Sequence, residues 1–400
     1  MTTIYLIRHA EAEGNVYRRC HGQYDALLTT RAIDQLPYLA DRFDEVELDA
    51  VYASDLYRAR HTAKAVADRK DMKVRVRRDL REIDMCDWED KAWADLQLHD
   101  TANYAVWTRS PWTCTIPGGE SVMQAGQRLY DALWKLARAH DGQTLAVASH
   151  GTAIRGALTL ARGLNPDQMN ELGWGDNTCV AKLEFDGDAC TPVYWNDASH
   201  LPERFSTFAS IGWKDSKDMP RSIQIWFRDV DMESAEDCAL LRRYAREFYQ
   251  NAYGSTELLD EEQWMAETAE MAKTPRAVTF GMLEDEPVAL VRLNVLDDSD
   301  PGVGKVGSFV IEEKYRGCGL SPQILGQAIS VYRELGKEWL CAYAAVKNGR
   351  AQGFYRKYGF RNRGIYRTAC GDHFTMMKPI KVPTLAEEAD SFDLSEYESL

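Results

Sequence analysis

"YLIRHAEAEGN", residues 5–15, decides how the chain begins. Tyr5, Leu6 and Ile7 read as the end of a buried strand that runs straight into Arg8 and His9. A cation and an imidazole at that point either mean little, since the pair is common, or the strand is a rigid stand for a nucleophile. The rest of the chain has to decide between these.

Outward from that stretch, strand-like and helix-like segments alternate to about residue 200. Strands are expected over 4–7, 50–53 and 144–148, and helices over 30–43, 58–67 and 126–139, with a further helix after 150 running through Leu160. In the 126–139 helix, Leu129, Leu133 and Leu136 share one face. Such alternation predicts an α/β layer fold with a mostly parallel sheet, whose functional groups collect beyond the carboxyl ends of the strands.

After "PVYWN" the pattern changes. "DASHLPERFSTFASIGWKDSKDMPRS" is polar and irregular and reads as a linker, residues 201–221. A second region follows over 222–381. It opens with a strand in "IQIWFRDV" and a helix in "AEDCALLRRYAREFYQNAY". "AVTFGML" and "PVALVRLNVL" form a hairpin, and "KVGSFVI" is a strand. "RGCGLSPQILGQAISVYRELG" is a loop entering a helix. "EWLCAYAAV" is a buried strand, "NGRAQGFYRKYG" a helix, and "IYRTA" with "HFTMMKPI" a closing hairpin. Residues 382–400 form an acidic tail. From Thr384 on it has no Lys or Arg and reads as solvated, although Phe392, Leu394 and Tyr397 offer it a way to dock.

Composition narrows the function. The chain has 400 residues, 45% hydrophobic and 28% charged, which suits two globular domains. Its net charge of −14 excludes a general nucleic-acid or anionic-membrane binder, because either needs a basic surface. No stretch is long and apolar enough to span a bilayer, and "MTTIYLIRHAEAEG" lacks the basic start of a secretory signal. The nine Cys are odd in number and scattered, with no CxxC pair, which fits neither a disulfide framework nor a zinc ribbon. The expected location is the cytoplasm.

The chemistry in the first half answers the opening question. His9 follows strand one, His150 follows the 144–148 strand, and Arg58 stands at a helix start. In a parallel sheet these and Arg8 can meet at one edge. Two imidazoles and two guanidiniums repel unless an anion sits among them, and a phosphoryl group is the natural one. Arg grips two phosphate oxygens in a planar fork, and a neutral His can attack phosphorus. Glu82 is the candidate acid for the leaving oxygen. No metal is expected, since no ligand cluster is visible.

These residues resemble the histidine phosphatase, or phosphoglycerate-mutase-like, superfamily. Its Arg-His-Gly-x-Thr-x-x-Asn signature stands here as "RHAEAEGN" from Arg8 to Asn15, with Ala10 and Ala12 as departures. Its Ser-x-Leu-x-Arg-Ala-x-x-Thr-Ala runs intact from Ser54 to Ala63. Leu80, Glu82, Trp88 and Glu89 match a third motif, "GGES" from Gly118 to Ser121 a fourth, and "SHG" from Ser149 a fifth. Cys86 stands where the family often has Gly. The resemblance covers most of 1–185. It implies a three-layer α/β/α domain over 1–200, with His9 as phospho-acceptor and Glu82 as acid/base. It also implies that Arg8, Arg58, His150 and Asn15 hold the phosphoryl group. The substrate would be a small phosphorylated metabolite. The compact first half and its aromatic insert, with Trp88, Trp93, Trp107 and Trp112, favour hydrolysis over a phosphoglycerate-mutase-type phosphotransfer. The insert reads as a satellite core in preference to a substrate lid.

The second half resembles the GCN5-related N-acetyltransferase (GNAT) family. Its Arg/Gln-x-x-Gly-x-Gly/Ala loop matches Arg316 and Gly319, with Ser321 as a departure. Its Asn-x-x-Ala-x-x-Phe-Tyr-x-Lys-x-Gly-Phe motif matches Asn348, Ala351, Phe354, Tyr355, Lys357, Gly359 and Phe360. The resemblance implies an α+β domain with a central mixed, mostly antiparallel sheet. Acetyl-CoA would bind along Phe309, Val310 and Ile311, on the loop Arg316, Gly317, Cys318, Gly319, Leu320 and Ser321, and at Asn348. Tyr355 would be the general acid, and a small-molecule or peptide amine the acceptor. The expectation is a two-activity enzyme whose halves are independent, with no nucleic-acid or membrane partner. A homodimer stays open. The alternative for the second half is a non-catalytic acyl-CoA-binding regulatory module.

Overall fold

The alternating apolar strands assemble into two seven-stranded sheets. The structure, a computed structural model, describes residues 1–210 and 223–397. The first sheet takes β1 (Thr2–Arg8), β2 (Ala50–Ser54), β3 (Val74–Arg77), β4 (Thr144–Ser149), β5 (Val180–Asp186) and β6 (Ala189–Asp197). Its helices are α1 (Glu13–Tyr17), α2 (Thr30–Arg42), α3 (Tyr57–Arg69), α4 (Trp93–His99), α5 (Thr101–Arg109), α6 (Val122–Ala139), α7 (Gly151–Ala161) and the short α8 (Thr207–Ser210).

Helices cover both faces of this sheet. Leu129, Leu133 and Leu136 of α6 and Leu158 of α7 pack on Ile4, Leu6 and Tyr52, while Leu39 and Val66, from α2 and α3, pack on Ile7, Val51 and Val76. The long α6 forms because Ser121 caps it: its hydroxyl accepts from Gln124 N at 3.2 Å, and Gln124 Oε1 accepts from Ser121 N at 2.7 Å. β4 is central, hydrogen-bonded in parallel to β1 on one side and β2 on the other. Its register places Arg8 opposite Ser149, so the next residue on each strand, His9 and His150, leaves the sheet at the same level.

The second sheet holds β7 (Trp226–Asp229), β8 (Val278–Leu283), β9 (Glu286–Leu293), β10 (Val303–Ile311), β11 (Trp339–Ala345), β12 (Arg361–Thr368) and β13 (Gly371–Pro379). Helices α9 (Ala235–Tyr253), α10 (Glu261–Met271), α11 (Ser321–Glu334) and α12 (Gly349–Lys357) flank it. All its pairings are antiparallel except β10–β11. Those two strands pair only from Val303 to Lys305; beyond that β10 keeps to β9 and β11 to β13. The sheet therefore splays open after Lys305.

Two connections differ from the sequence expectation. The acidic tail is docked, not solvated: β14 (Phe392–Asp393) adds to β3 in parallel and Phe392 is buried. Its carboxylates find cations on the first domain, Glu388 on Arg60 at 2.9 Å and Glu396 on Arg77 at 2.9 Å, which is why an acidic segment settles at this edge. The linker begins as packed structure: Ser206 donates to Asp176 Oδ2 at 2.5 Å, and Gln35 Nε2 donates to Phe205 O at 2.9 Å. The remainder of the expected linker, from residue 211, lies outside the described residues.

The two halves also share a buried interface. Tyr17 of α1 belongs to the apolar core of the second sheet, beside Ile324, Leu325 and Ala328 of α11. A Cβ at Gly326 would lie 2.5 Å from Tyr17 Cβ, so only glycine lets the two helices approach this closely. Arg19 donates to Gln327 Oε1 at 3.2 Å and Ser330 Oγ at 3.0 Å.

Candidate active site

β1 and β4 deliver His9 and His150 with ring centroids 5.2 Å apart and both rings buried. His9 Nδ1 lies 2.7 Å from Ala10 O. A carbonyl can only accept, so Nδ1 carries the hydrogen and Nε2 keeps its lone pair. Burial, then Arg58 and Arg8, push the His9 pKa well below its ordinary value, and the imidazole is neutral at physiological pH. His150 is driven the same way by burial, Arg58 and His9, and neither of its ring nitrogens has a hydrogen-bond partner among the described residues. Buried, unpaired polar atoms are costly, and a ligand oxygen would relieve them.

The cations stand around this pair. Arg58, on the first turn of α3, is held by Tyr24 O at 3.0 Å and Gly22 O at 2.5 Å. Burial lowers its pKa, and Asp25 and Glu82 only partly offset that. Arg8 is fixed by Gly175 O, and its buried Nε has no hydrogen-bond partner among the described residues. Asn15 Oδ1 accepts from Ala12 N at 2.9 Å, which closes the turn that carries it. Glu82 sits at the N-terminus of α7, where Oε2 accepts from Thr152 N at 3.0 Å and Oε1 from Ala153 N at 2.8 Å and Ile83 N at 2.9 Å. The helix start fixes the carboxyl beside the phosphate position.

Arg8, His9, Asn15, Arg58 and Glu82 line one cavity of about 390 Å³. The structure thus brings this expected set together, with His150 packed on His9. It adds groups that the sequence reading missed. Arg155 also lines the cavity; it is buried, which lowers its pKa, and it lies over the Trp174 ring at 4.5 Å. Its place one turn after Gly151 on α7 was a usable signal. Trp93, Tyr104 and Trp107 of the insert also line the cavity, whereas Trp88 is buried in a local core. The insert is therefore both satellite core and cavity wall. Cys86 adopts φ 38°, a left-handed conformation that favours glycine, which accounts for the family's usual residue there.

In the second half, the loop from Arg316 to Ser321 has left-handed Gly317 (φ 83°) and Gly319 (φ 81°), with open space where either Cβ would stand. It leads into α11. An open turn at a helix start is a place that favours an anion. Phe309, Val310 and Ile311 form the β10 side of the splay. Leu320 is buried, while Gly317, Cys318 and Gly319 are exposed and Ser321 is half-buried. The Arg316 side chain turns inward, to Ile311 O at 3.0 Å and Glu247 at 2.6 Å, and so braces the loop. Asn348 caps α12, accepting from Ala351 N at 3.0 Å, and its Nδ2 donates to Asn251 O at 3.4 Å. Tyr355 is buried, which raises its pKa and keeps the phenol protonated. Among the described residues no three His, Cys, Asp or Glu are grouped to hold a metal ion. No helix among them is long and apolar enough to cross a membrane.

The family model of the histidine phosphatase superfamily (branch 1) matches residues 4–198, and that of the acetyltransferase (GNAT) family matches 239–360. Phosphoglycerate mutase-like protein 4 of Arabidopsis thaliana is 32% identical over 203 residues, 50% of this chain and 87% of that protein. The adenosylcobalamin/alpha-ribazole phosphatase of Escherichia coli (strain K12) is 32% identical over 160 residues, 40% of this chain and 77% of its own. The solved structure of Bacillus stearothermophilus YhfR is 28% identical, with a TM-score of 0.49 over 50% of this chain and 99% of that one. With its imidazoles and guanidiniums gathered at the carboxyl edge of the first sheet and its splayed second sheet, the chain belongs to the histidine phosphatase superfamily and carries a GNAT acetyltransferase domain joined to it.

Proposed function

We propose that residues 1–200 hydrolyse a small phosphate monoester through a phosphohistidine. The observation that carries this reading is the neutral His9 ring, with Nδ1 bound to Ala10 O and Nε2 left as the nucleophile amid Arg8, Arg58 and His150. Nε2 forms a bond to phosphorus as the ester P–O bond breaks, and protonated Glu82 gives its hydrogen to the leaving oxygen. The Glu82 carboxylate then takes a proton from water as the water oxygen attacks phosphorus. The N–P bond breaks and His9 regains its lone pair. One relative is named a phosphatase and another a phosphoglycerate mutase-like protein, and the aromatic insert along the cavity is what favours hydrolysis. The test is rapid-quench trapping of an acid-labile phosphoenzyme during turnover of p-nitrophenyl phosphate.

For residues 222–381 the reading is acetyl transfer from acetyl-CoA to an amine. It rests on the splayed β10–β11 pair, the open Gly317–Gly319 turn and the protonated Tyr355, whose phenol would give its proton to the leaving CoA thiolate. The alternative, an acyl-CoA-binding module that regulates the phosphatase, draws on the contact between α11 and α1. Release of free CoA in the presence of an amine panel separates the two.

A further inference from the structure

The cavity over His9 is not closed by the first domain alone. Gln224, which precedes β7 in the second domain, lines it, and its Oε1 is buried with no partner among the described residues. The residues on either side are clamped away from the cavity. Gln323 of α11 donates Nε2 to Ile223 O at 2.8 Å and accepts Ile225 N on Oε1 at 3.0 Å. Two residues on, Phe227 N donates to Asp95 Oδ1 of α4 at 3.1 Å, and Trp226 meets His99 edge-on at 5.8 Å. The strand entrance is thus tied to α11 on one side and to the aromatic insert on the other. Gln224 is left between these ties as part of the cavity wall, its side-chain oxygen unpaired among the described residues.

The rest of that space mixes aromatic residues of the insert, Trp93, Tyr104 and Trp107, with polar ones, among them Arg18, Thr108, Arg155 and Asn170. Trp93 and Trp107 lie nearly parallel with centroids 6.0 Å apart, and Tyr104 stands 6.5 Å from Trp93. A volume of about 390 Å³ falls within the range that encloses a ring-bearing ligand. A three-carbon phosphoacid has no ring to cover the indoles and would leave them wet, which is unfavourable.

Resting on the phosphatase reading, we propose that Gln224 is a specificity-determining residue supplied by the second domain. The substrates are phosphate monoesters of alcohols that bear a flat ring with an N–H or O–H donor. The ring lies against the insert and its donor meets Gln224 Oε1.

The test is steady-state hydrolysis by the full chain of two matched pairs: uridine 5′-phosphate against its N3-methyl derivative, and 4-hydroxyphenethyl phosphate against phenethyl phosphate. Phosphoserine, 3-phosphoglycerate and p-nitrophenyl phosphate are run alongside. The expected result is a kcat/KM preference for the donor-bearing member of at least one pair, and for that ester over both three-carbon phosphoacids. Gln224→Leu should shrink the within-pair ratio by about tenfold, the scale of one hydrogen bond to an otherwise orphaned acceptor. Gln224→Glu, which keeps an acceptor, should retain the preference. The within-pair ratio does not depend on the amount of folded enzyme, so partial misfolding of a variant cannot mimic the effect. Hydrolysis of p-nitrophenyl phosphate without preference in either pair, or with the ratio unchanged in Gln224→Leu, overturns the proposal and leaves the phosphatase reading standing. Failure to hydrolyse any ester overturns both.

Discussion

Arg333 donates to Glu13 Oε2 at 2.7 Å, across 320 residues of sequence and from one domain to the other. Glu13 lies two residues before Asn15 and is fully buried, and its other oxygen faces Lys378 Nζ at 3.6 Å. The first residue of α1 is thus held by two cations from the acetyltransferase domain. The helix after the catalytic loop is shaped by both domains.

The arrangement is asymmetric, and substitution should expose that. Glu13→Gln leaves two buried cations without their anion and should cost about 3–5 kcal/mol. Arg333→Met leaves Glu13 with Lys378 and should cost less. Urea unfolding of both variants checks the order, and an equal loss would mean that Lys378 contributes nothing. Burial alone raises the Glu13 carboxyl, but Arg333 and Lys378 reverse this and leave it below its ordinary 4.5. Stability from a lowered carboxylate is present above that value and is lost as pH falls through the folded one. Acid unfolding below about pH 4.5 should therefore be steeper in the native protein than in Glu13→Gln.

His9→Ala should abolish the acid-labile phosphoenzyme, because it removes the ring whose tautomer the Ala10 carbonyl fixes with Nε2 unprotonated. The neighbouring His150 has no backbone carbonyl fixing its tautomer. Wild-type turnover in His9→Ala would remove the nucleophile assignment.

The candidate site residues were legible because most stand within a short motif at the end of a strand or the start of a helix, where local pattern and chemistry coincide. His9 and His150 could be expected at one edge because the sheet reads as mostly parallel, and the direct pairing of β1 with β4 is what the structure adds. The interdomain residues were not legible. Glu13 finds Arg333, Gln224 finds a cavity built by the other domain, and Glu388 finds Arg60, all over hundreds of residues. Such pairings leave no periodicity in either segment. The tail misled for the same reason: its charge suggests solvation, and only the exposed edge of β3 with Arg75 and Arg77 gives it a place.

The two imidazoles should also show their burial in solution. In the free protein neither His9 nor His150 should titrate near 6.5, since burial and the neighbouring guanidiniums disfavour the charged ring. Adding vanadate or phosphate supplies the missing anion and should raise both values. Nitrogen-15 NMR of the ring atoms reads this directly, and a midpoint near 6.5 in the free protein would contradict the electrostatics.

Glu82→Gln should slow esters of poor leaving groups far more than p-nitrophenyl phosphate, whose leaving group needs no proton. Glu82 also accepts three amides around the start of α7, so the variant should lose some stability. A melting curve recorded beside the kinetics separates the two effects. Equal slowing across the series would make Glu82 a support for α7 and nothing more.

The last prediction concerns how far the two chemistries depend on each other. The domains share buried contacts, but no group proposed for acetyl transfer lines the phosphate cavity, and neither His9 nor Glu82 lies in the splay after Lys305. A group used in only one transition state should therefore leave the other reaction alone. Tyr355→Phe removes the phenolic hydrogen while keeping the ring that packs against Phe354 and Phe360 at 5.1 and 5.0 Å. It should slow acetyl transfer by about a hundred- to ten-thousand-fold, the usual worth of a general acid, and leave acetyl-CoA affinity and phosphate release near native. His9→Ala should do the converse. Arg333→Met and Glu13→Gln act on the shared interface and should disturb both activities at once. If Tyr355→Phe remained folded and lost phosphate release as well, the phenol would have to act through α11 on α1, and the second domain would be a regulator of the first.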